Sequence, residues 1–282
     1  MSGGRGGLVV AGLAWGTALG VALGSLVMAP AVQEARGTGV EEPAAQDLTP
    51  RVEEAEAQAA AANELVATEA GALVGESLAD TAVLIIRSPG TAPEDTNRLR
   101  ELLGQAGADD AGEIALTEKF VSRQGADELG SVVANTLPAG AQLSPDNLSP
   151  ATHAGESLAV ALFAGEDGAP RATLEDRDFV LSALADAGFL TYHSPDLMAA
   201  DAVIVVTGGE EEPFAVGALA DFAAALNARG GAVVAAEQGP GGEVAGELHA
   251  RGGQGVATQN VVDTEAGAVL SVRAVREALD AE

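Results

Sequence analysis

The sequence contains no cysteine, which excludes disulfides, a thiolate nucleophile and Cys-ligated metal centres. Small exported domains commonly rely on disulfides as staples, so any folded part here must be held by its own core. The stretch beyond the N-terminal segments, about 200 residues, is long enough for one. Basic residues are also scarce: Lys119 is the sole lysine, and 14 Lys and Arg stand against 42 Asp and Glu, a formal net charge of −28. Nucleic acid is therefore excluded as a partner class, because phosphate neutralisation depends on Lys and Arg clusters. A surface of this sign repels anionic lipid headgroups and gathers cations diffusely. Aromatic residues number 6 Phe, 1 Trp and 1 Tyr, too few for the girdles of a membrane β-barrel.

What the chain does have begins with an uncharged run. Gly7 to Ala29 holds no charged side chain, and at helical rise it spans about 34 Å against a bilayer core of about 30 Å. Gly12, Gly16, Gly20 and Gly24 recur every fourth position within it. They make a bare face of the kind through which two membrane helices approach closely, so self-association through these glycines is expected. A cleaved secretory signal is the competing reading, with Ala29-Pro30-Ala31 as its small-residue site, although signal cores usually run to about 7–15 residues. Arg5 precedes the run and Glu34, Arg36, Glu41 and Glu42 follow it. Either reading sends the rest of the chain outside the cytoplasm.

From Gln33 to Leu48 the chain is rich in Pro, Gly and Glu without hydrophobic periodicity, as in a solvated linker. Thr49-Pro50 reads as a helix start, with Thr49 as N-cap and Pro50 at the first helical position. Arg51 to about Ala79 is Ala/Glu-rich, and Val52, Ala59, Val66 and Leu73 fall seven apart. That spacing fits a short coiled coil or an amphipathic stalk. The companion positions hold Ala55, Ala62, Glu69 and Glu76, a thin seam that suits a lone surface helix equally well.

Beyond the stalk, strand-like runs alternate with helical patterns, the signature of a mostly parallel α/β sheet. Strands are expected at Ala82–Arg87, Glu113–Leu116, Ala202–Val206, Ala232–Ala236 and Val256–Thr258. Helices are expected at Pro93–Ala106, Ala126–Leu137, from Ala151, at Phe179–Ala187, Phe214–Ala228 and Glu243–Ala250, and from Glu265. The fold class is thus α/β: an N-terminal transmembrane helix (1–32), an acidic linker and coiled-coil-like helical stalk (33–80), then a Rossmann-like domain. That domain reads as two lobes, 81–150 and 151–282, or as one continuous doubly wound unit.

In such folds chemistry sits in the loops that follow the strands. After Ala202–Val206 comes Thr207-Gly208-Gly209-Glu210-Glu211-Glu212, whose three successive carboxylates oppose a phosphate and make Glu210, Glu211 and Glu212 candidate cation collectors. The Gly/Pro turn Gln238-Gly239-Pro240-Gly241-Gly242 does not match the dinucleotide fingerprint. His153, His193 and His249 form no HxxH or HExxH pair. His193 near Asp196 and Met198 is a candidate metal set, with His193 and Met198 as its nitrogen and thioether ligands. Ser157 beside His153 and Glu156 lacks a nucleophile-elbow motif. No enzymatic activity is expected, and no cofactor is indicated by these residues.

Several segments then occur in a characteristic order: Leu19-Gly20-Val21-Ala22-Leu23-Gly24-Ser25, the acidic stalk, Val83-Leu84-Ile85-Ile86 and Leu116-Thr117-Glu118-Lys119-Phe120-Val121. They continue through Ala187-Gly188-Phe189-Leu190-Thr191, Val205-Val206-Thr207-Gly208-Gly209 and Asn260-Val261-Val262-Asp263-Thr264. Over nearly the whole chain this order resembles the MctB family of copper transporters, a group of actinobacterial cell-envelope proteins. The resemblance implies copper efflux or homeostasis, with association with an outer, mycolate-type membrane. Ligand chemistry pulls the other way, since Cu(I) prefers thiolate and thioether, and Met198 is the one methionine outside the initiator and the apolar run. A single spanning helix and few aromatics provide no pore within a monomer. The alternative is a single-pass envelope scaffold that binds protein partners in cell-wall remodelling or division.

Overall fold

The computed structural model describes residues 48–165, 168–193, 197–209, 211–253 and 255–281. The expected membrane segment, Gly7–Ala29, lies outside them, and among the described residues no helix is long and apolar enough to cross a membrane. The chain divides between Ala57 and Gln58. The domain described below is the part from Gln58 onward.

The first element, α1 (Leu48–Val74), begins one residue before the expected cap, so Thr49 and Pro50 lie in its first turn, where proline is tolerated. Its last turns pack through Val66, Ala70 and Val74, which recur four apart. Of the residues spaced by seven, Val66 alone joins this face, while Leu73 is 48% exposed.

The strands are β1 (Ala82–Arg87), β2 (Asp109–Leu116), β3 (Leu190–Tyr192), β4 (Ala202–Thr207), β5 (Ala232–Glu237) and β6 (Ala257–Gln259). They form one six-stranded sheet in the order β3-β2-β1-β4-β5-β6, parallel throughout except for β3 against β2. The central strands are buried on both faces, so they read as continuous apolar runs. Alternation still assigns each residue a side. Leu84, Ile86, Val203, Val205, Val233 and Ala235 face one core, and Val83, Ile85, Ile204, Val206, Val234 and Ala236 face the other. Each fully buried Val, Leu or Ile contributes about 1.5–3 kcal/mol, so a charge introduced in either set would open the sheet.

Two strand expectations need correction. β2 starts at Asp109 rather than Glu113, because its polar first half is interrupted by a bulge: Val83 pairs with Asp110 but Ile85 pairs with Glu113. Gly112, at φ +102°, supplies the backbone freedom, and Asp110 Oδ1 accepts from its amide at 2.9 Å. β3 was not expected at all; three residues on an antiparallel edge are too short for a periodicity to show.

The remaining helices among the described residues are α2 (Pro93–Gln105), α3 (Ala126–Asn135), α4 (Pro150–Leu162), α5 (Leu174–Asp186), α6 (Pro213–Arg229), α7 (Glu243–Ala250) and α8 (Glu265–Leu279). Proline opens α2, α4 and α6, where its missing N–H costs nothing. Thr173 and Thr264 cap α5 and α8 through hydroxyls that accept from Asp176 N and Gly267 N. The α5 cap moves that helix's start to Leu174, ahead of the expected Phe179. Helices α1, α2 and α8 cover one sheet face, and α3 to α7 cover the other. On the second face α4 meets α6 at Gly155, where a Cβ would stand 2.6 Å from Phe222 O. Only glycine allows that approach.

Candidate functional site

The strand order reverses between β1 and β4, so the C-terminal ends of these strands form the switch point at which open α/β sheets bind ligands. Here the crevice is filled by the chain itself. Ser88, fully buried, follows β1; its amide donates to Val206 O at 2.8 Å, and its hydroxyl donates to Glu211 Oε1 at 2.7 Å. The Ser88 hydroxyl oxygen itself accepts from Gly208 N at 3.1 Å. Thr91 Oγ1 donates to Val206 O at 3.0 Å, closing the loop below. A side chain is excluded at Gly209, whose Cβ would lie 2.7 Å from Gln238 O, and one on Gly90 would press on Glu211 Oε1 at 3.2 Å. A carboxylate thus sits over the switch point, which is unfavourable for a phosphate.

The loop after β5 is closed the same way. Glu237, 2% exposed, accepts from the amides of Glu243, Val244 and Ala245 at 2.8, 3.3 and 3.5 Å, so the α7 N-terminus already holds an anion. Burial pushes the Glu237 carboxyl above its ordinary range, and the three amide donors offset only part of that rise. Next to it Gln238 Nε2 donates to Asp95, which also takes Arg98 Nη1 at 2.7 Å. Arg98 continues to Glu265 at 2.9 Å.

The expected ligand residues are separated. Glu211 faces Ser88, whereas Glu212 is exposed at the N-cap of α6 without a capping bond. Glu210 and Asp196 lie outside the described residues. His193, at the end of β3, lines a hollow of about 440 Å³ with Arg87, Arg100, Asp110 and Glu113. Both arginines are held by Glu113, at 2.8 Å from Arg87 Nε and 2.7 Å from Arg100 Nη2, and Asp110 takes Arg100 Nε at 3.2 Å. Burial alone would raise Glu113; the hydrogen bonds from Arg87 and Arg100 outweigh it and hold that carboxyl below its ordinary range. Met198 is not in the wall of this hollow; its amide donates to Ala111 O and its side chain is 46% exposed. Among the described residues no group of three or more His, Asp or Glu side chains is placed to hold a metal.

The other histidines have local structural partners. His153 Nε2 lies 3.1 Å from Ser144 O, and His249 Nδ1 lies 3.1 Å from Ala245 O. Glu156 is engaged by Ser144 N and Arg229, and buried Ser157 has no hydroxyl partner, so these three make no nucleophile–base relay. Sequence reasoning missed Ser88 and Glu237. The turn Ser88-Pro89-Gly90-Thr91 directly after β1 was the available signal for the first; an acid ending an apolar strand was the signal for the second.

Comparison with known proteins follows the chain almost end to end. The family described as "Copper transport outer membrane protein, MctB" matches residues 8–282. Copper transporter MctB of Mycobacterium tuberculosis (strain ATCC 25618 / H37Rv) is 32% identical over 219 residues, 74% of this chain and 70% of the relative. Copper transporter MctB of Mycobacterium leprae (strain TN) is 31% identical over 223 residues, with the same coverage.

Proposed function

Because this chain belongs to the MctB family, we propose that it serves copper efflux or homeostasis in the cell envelope. The observation that carries this reading is the family match over residues 8–282. Its finer parts rest on the sequence. The apolar run Gly7–Ala29 is a single-pass anchor that places the C-terminal domain outside the cytoplasm, and Gly12, Gly16, Gly20 and Gly24 pair copies within the bilayer. The family description points to the outer membrane.

Within this reading the α/β domain works without catalysis and without a tight metal chelate. Ser88, Glu211 and Glu237 occupy the loops in which such folds usually build an active site. Copper would be met by diffuse attraction to an acidic surface, with Glu210 to Glu212, His193 and Met198 as low-affinity contacts. The alternative scaffold reading is favoured by one observation: α1 leaves Leu65 and Leu73 67% and 48% exposed, apolar surface that suits a partner helix. Deleting the gene separates the two. Copper sensitivity of the deletion strain that the full chain reverses supports the copper role; chaining or septation defects with unchanged copper tolerance would replace it with the scaffold.

A further inference from the structure

We propose that the Glu211 side chain is a gate over the β1–β4 switch point, closed on Ser88 and open on Arg123. In the closed arrangement Ser88 Oγ donates to Glu211 Oε1 at 2.7 Å. The carboxylate stands over a polar row that the sheet itself sets. Arg87 pairs with Val206 and Thr207 with Glu237, so Ser88, Thr207 and Glu237 stand side by side at the ends of β1, β4 and β5. Each continues its strand's alternation onto the face of Ile86, Val205 and Ala235. Ser88 and Thr207 are 0% and 1% exposed, and Thr207 Oγ1 has no hydrogen-bond partner. Such a hydroxyl disfavours the closed arrangement, because water entering an opened crevice would satisfy it.

The open arrangement has both room and a partner. Half-buried Glu211 lines a hollow of about 600 Å³ whose wall also holds Arg123 and Phe214. The Arg123 guanidinium lies 4.7 Å from the Phe214 ring centroid, and no carboxylate pairs with it among the described residues. Glu118 and Glu212, in the same wall, oppose the arriving carboxylate. Only the side chain has to turn, because Glu212 O accepts from Val216 N at 3.0 Å and holds the neighbouring backbone on α6. Glu211 therefore exchanges one charge-assisted hydrogen bond for another, which is the energetic condition for a two-state element. Open α/β sheets bind ligands in this crevice, and the gate makes entry to it conditional. The device is independent of the copper reading.

The sequence has no cysteine, so Ser88→Cys places a single thiol directly beneath the gate. The test is the rate at which neutral N-ethylmaleimide labels that thiol in the full chain in lipid nanodiscs. Added to this background, Glu211→Ala should speed labelling at least about ten-fold. Arg123→Gln should slow it about three-fold or more, because the open state loses its partner. With Glu211→Ala already present, Arg123→Gln should change nothing, which separates the gate from a general effect of charge on the thiol. Neither Arg123 nor Glu211 is buried, so folding, checked by circular dichroism, should be unaffected. Should Ser88→Cys not fold, Thr207→Cys, whose hydroxyl has no partner to lose, gives the same comparison. Unchanged labelling in Glu211→Ala, unchanged labelling in Arg123→Gln, or the same slowing with and without Glu211 would overturn the proposal.

Discussion

Glu237 offers a direct probe of how the loops at the sheet's C-terminal edge are closed. Glu237→Ala removes the acceptor for the α7 N-terminus. The bond to Glu243 N at 2.8 Å is short and charge-assisted, while those at 3.3 and 3.5 Å are weak. A hydrogen bond to a charged group is worth about 1.5–3 kcal/mol, and loss of a helix cap costs about 0.5–2 kcal/mol. Because the two overlap, the loss should be about 2–4 kcal/mol. For a domain of this size that lowers Tm by roughly 4–16 °C. Glu237→Gln keeps an acceptor in place and should cost about 1 kcal/mol or less. The pH dependence has a definite sign. A carboxyl raised in the folded state contributes stability that is full below its unfolded range and lost as pH rises through its folded range. The stability of wild type relative to Glu237→Gln should therefore fall as pH rises through the carboxylate range. Urea unfolding of the portion from Thr49 onward, followed by circular dichroism, measures both effects. Equal losses in the Ala and Gln variants, or an Ala variant within about 0.5 kcal/mol of wild type, would refute the capping role.

Glu113, held below its ordinary range by Arg87 and Arg100, has the opposite sign: its contribution is present above the unfolded range and is lost as pH falls. Acid titration of stability should therefore be shallower in Glu113→Gln than in wild type below about pH 5, and identical acid profiles would contradict the ion-pair assignment. The N-terminal run should remain on the mature protein as an anchor; membrane fractionation with N-terminal sequencing checks this, and a soluble product beginning at Val32 would end the idea. Calorimetric titration of the portion from Thr49 onward should show no Cu(I) site tighter than about micromolar, roughly −8 kcal/mol. A stoichiometric, much tighter site abolished by His193→Ala would show that the ligand reasoning underrates that loop.

Much of the fold was legible because burial on both faces writes strands as unbroken apolar runs. Ala82–Arg87 has the observed limits of β1, and the expected β4 and β5 each fall one residue short of theirs. Legibility failed where local sequence carried little of the decision. The first half of β2 is polar and holds a bulge at Gly112, and β3 exists only because β2 offers it an edge. Site residues were harder, because proximity in the loops comes from topology. Glu211 was visible as one of three consecutive acids, but its partner Ser88 lies 123 residues away, and only the β1–β4 pairing brings them together. His193 and Met198, five apart in sequence, looked like neighbours; in the fold His193 faces a hollow governed by Arg87, Arg100 and Glu113.

The copper role is tested most directly by cell-associated copper, measured by mass spectrometry in wild-type, deletion and complemented strains after a copper challenge. The deletion strain should retain more copper than wild type, and the full chain should restore the wild-type level. Equal copper content in all three strains would contradict the account.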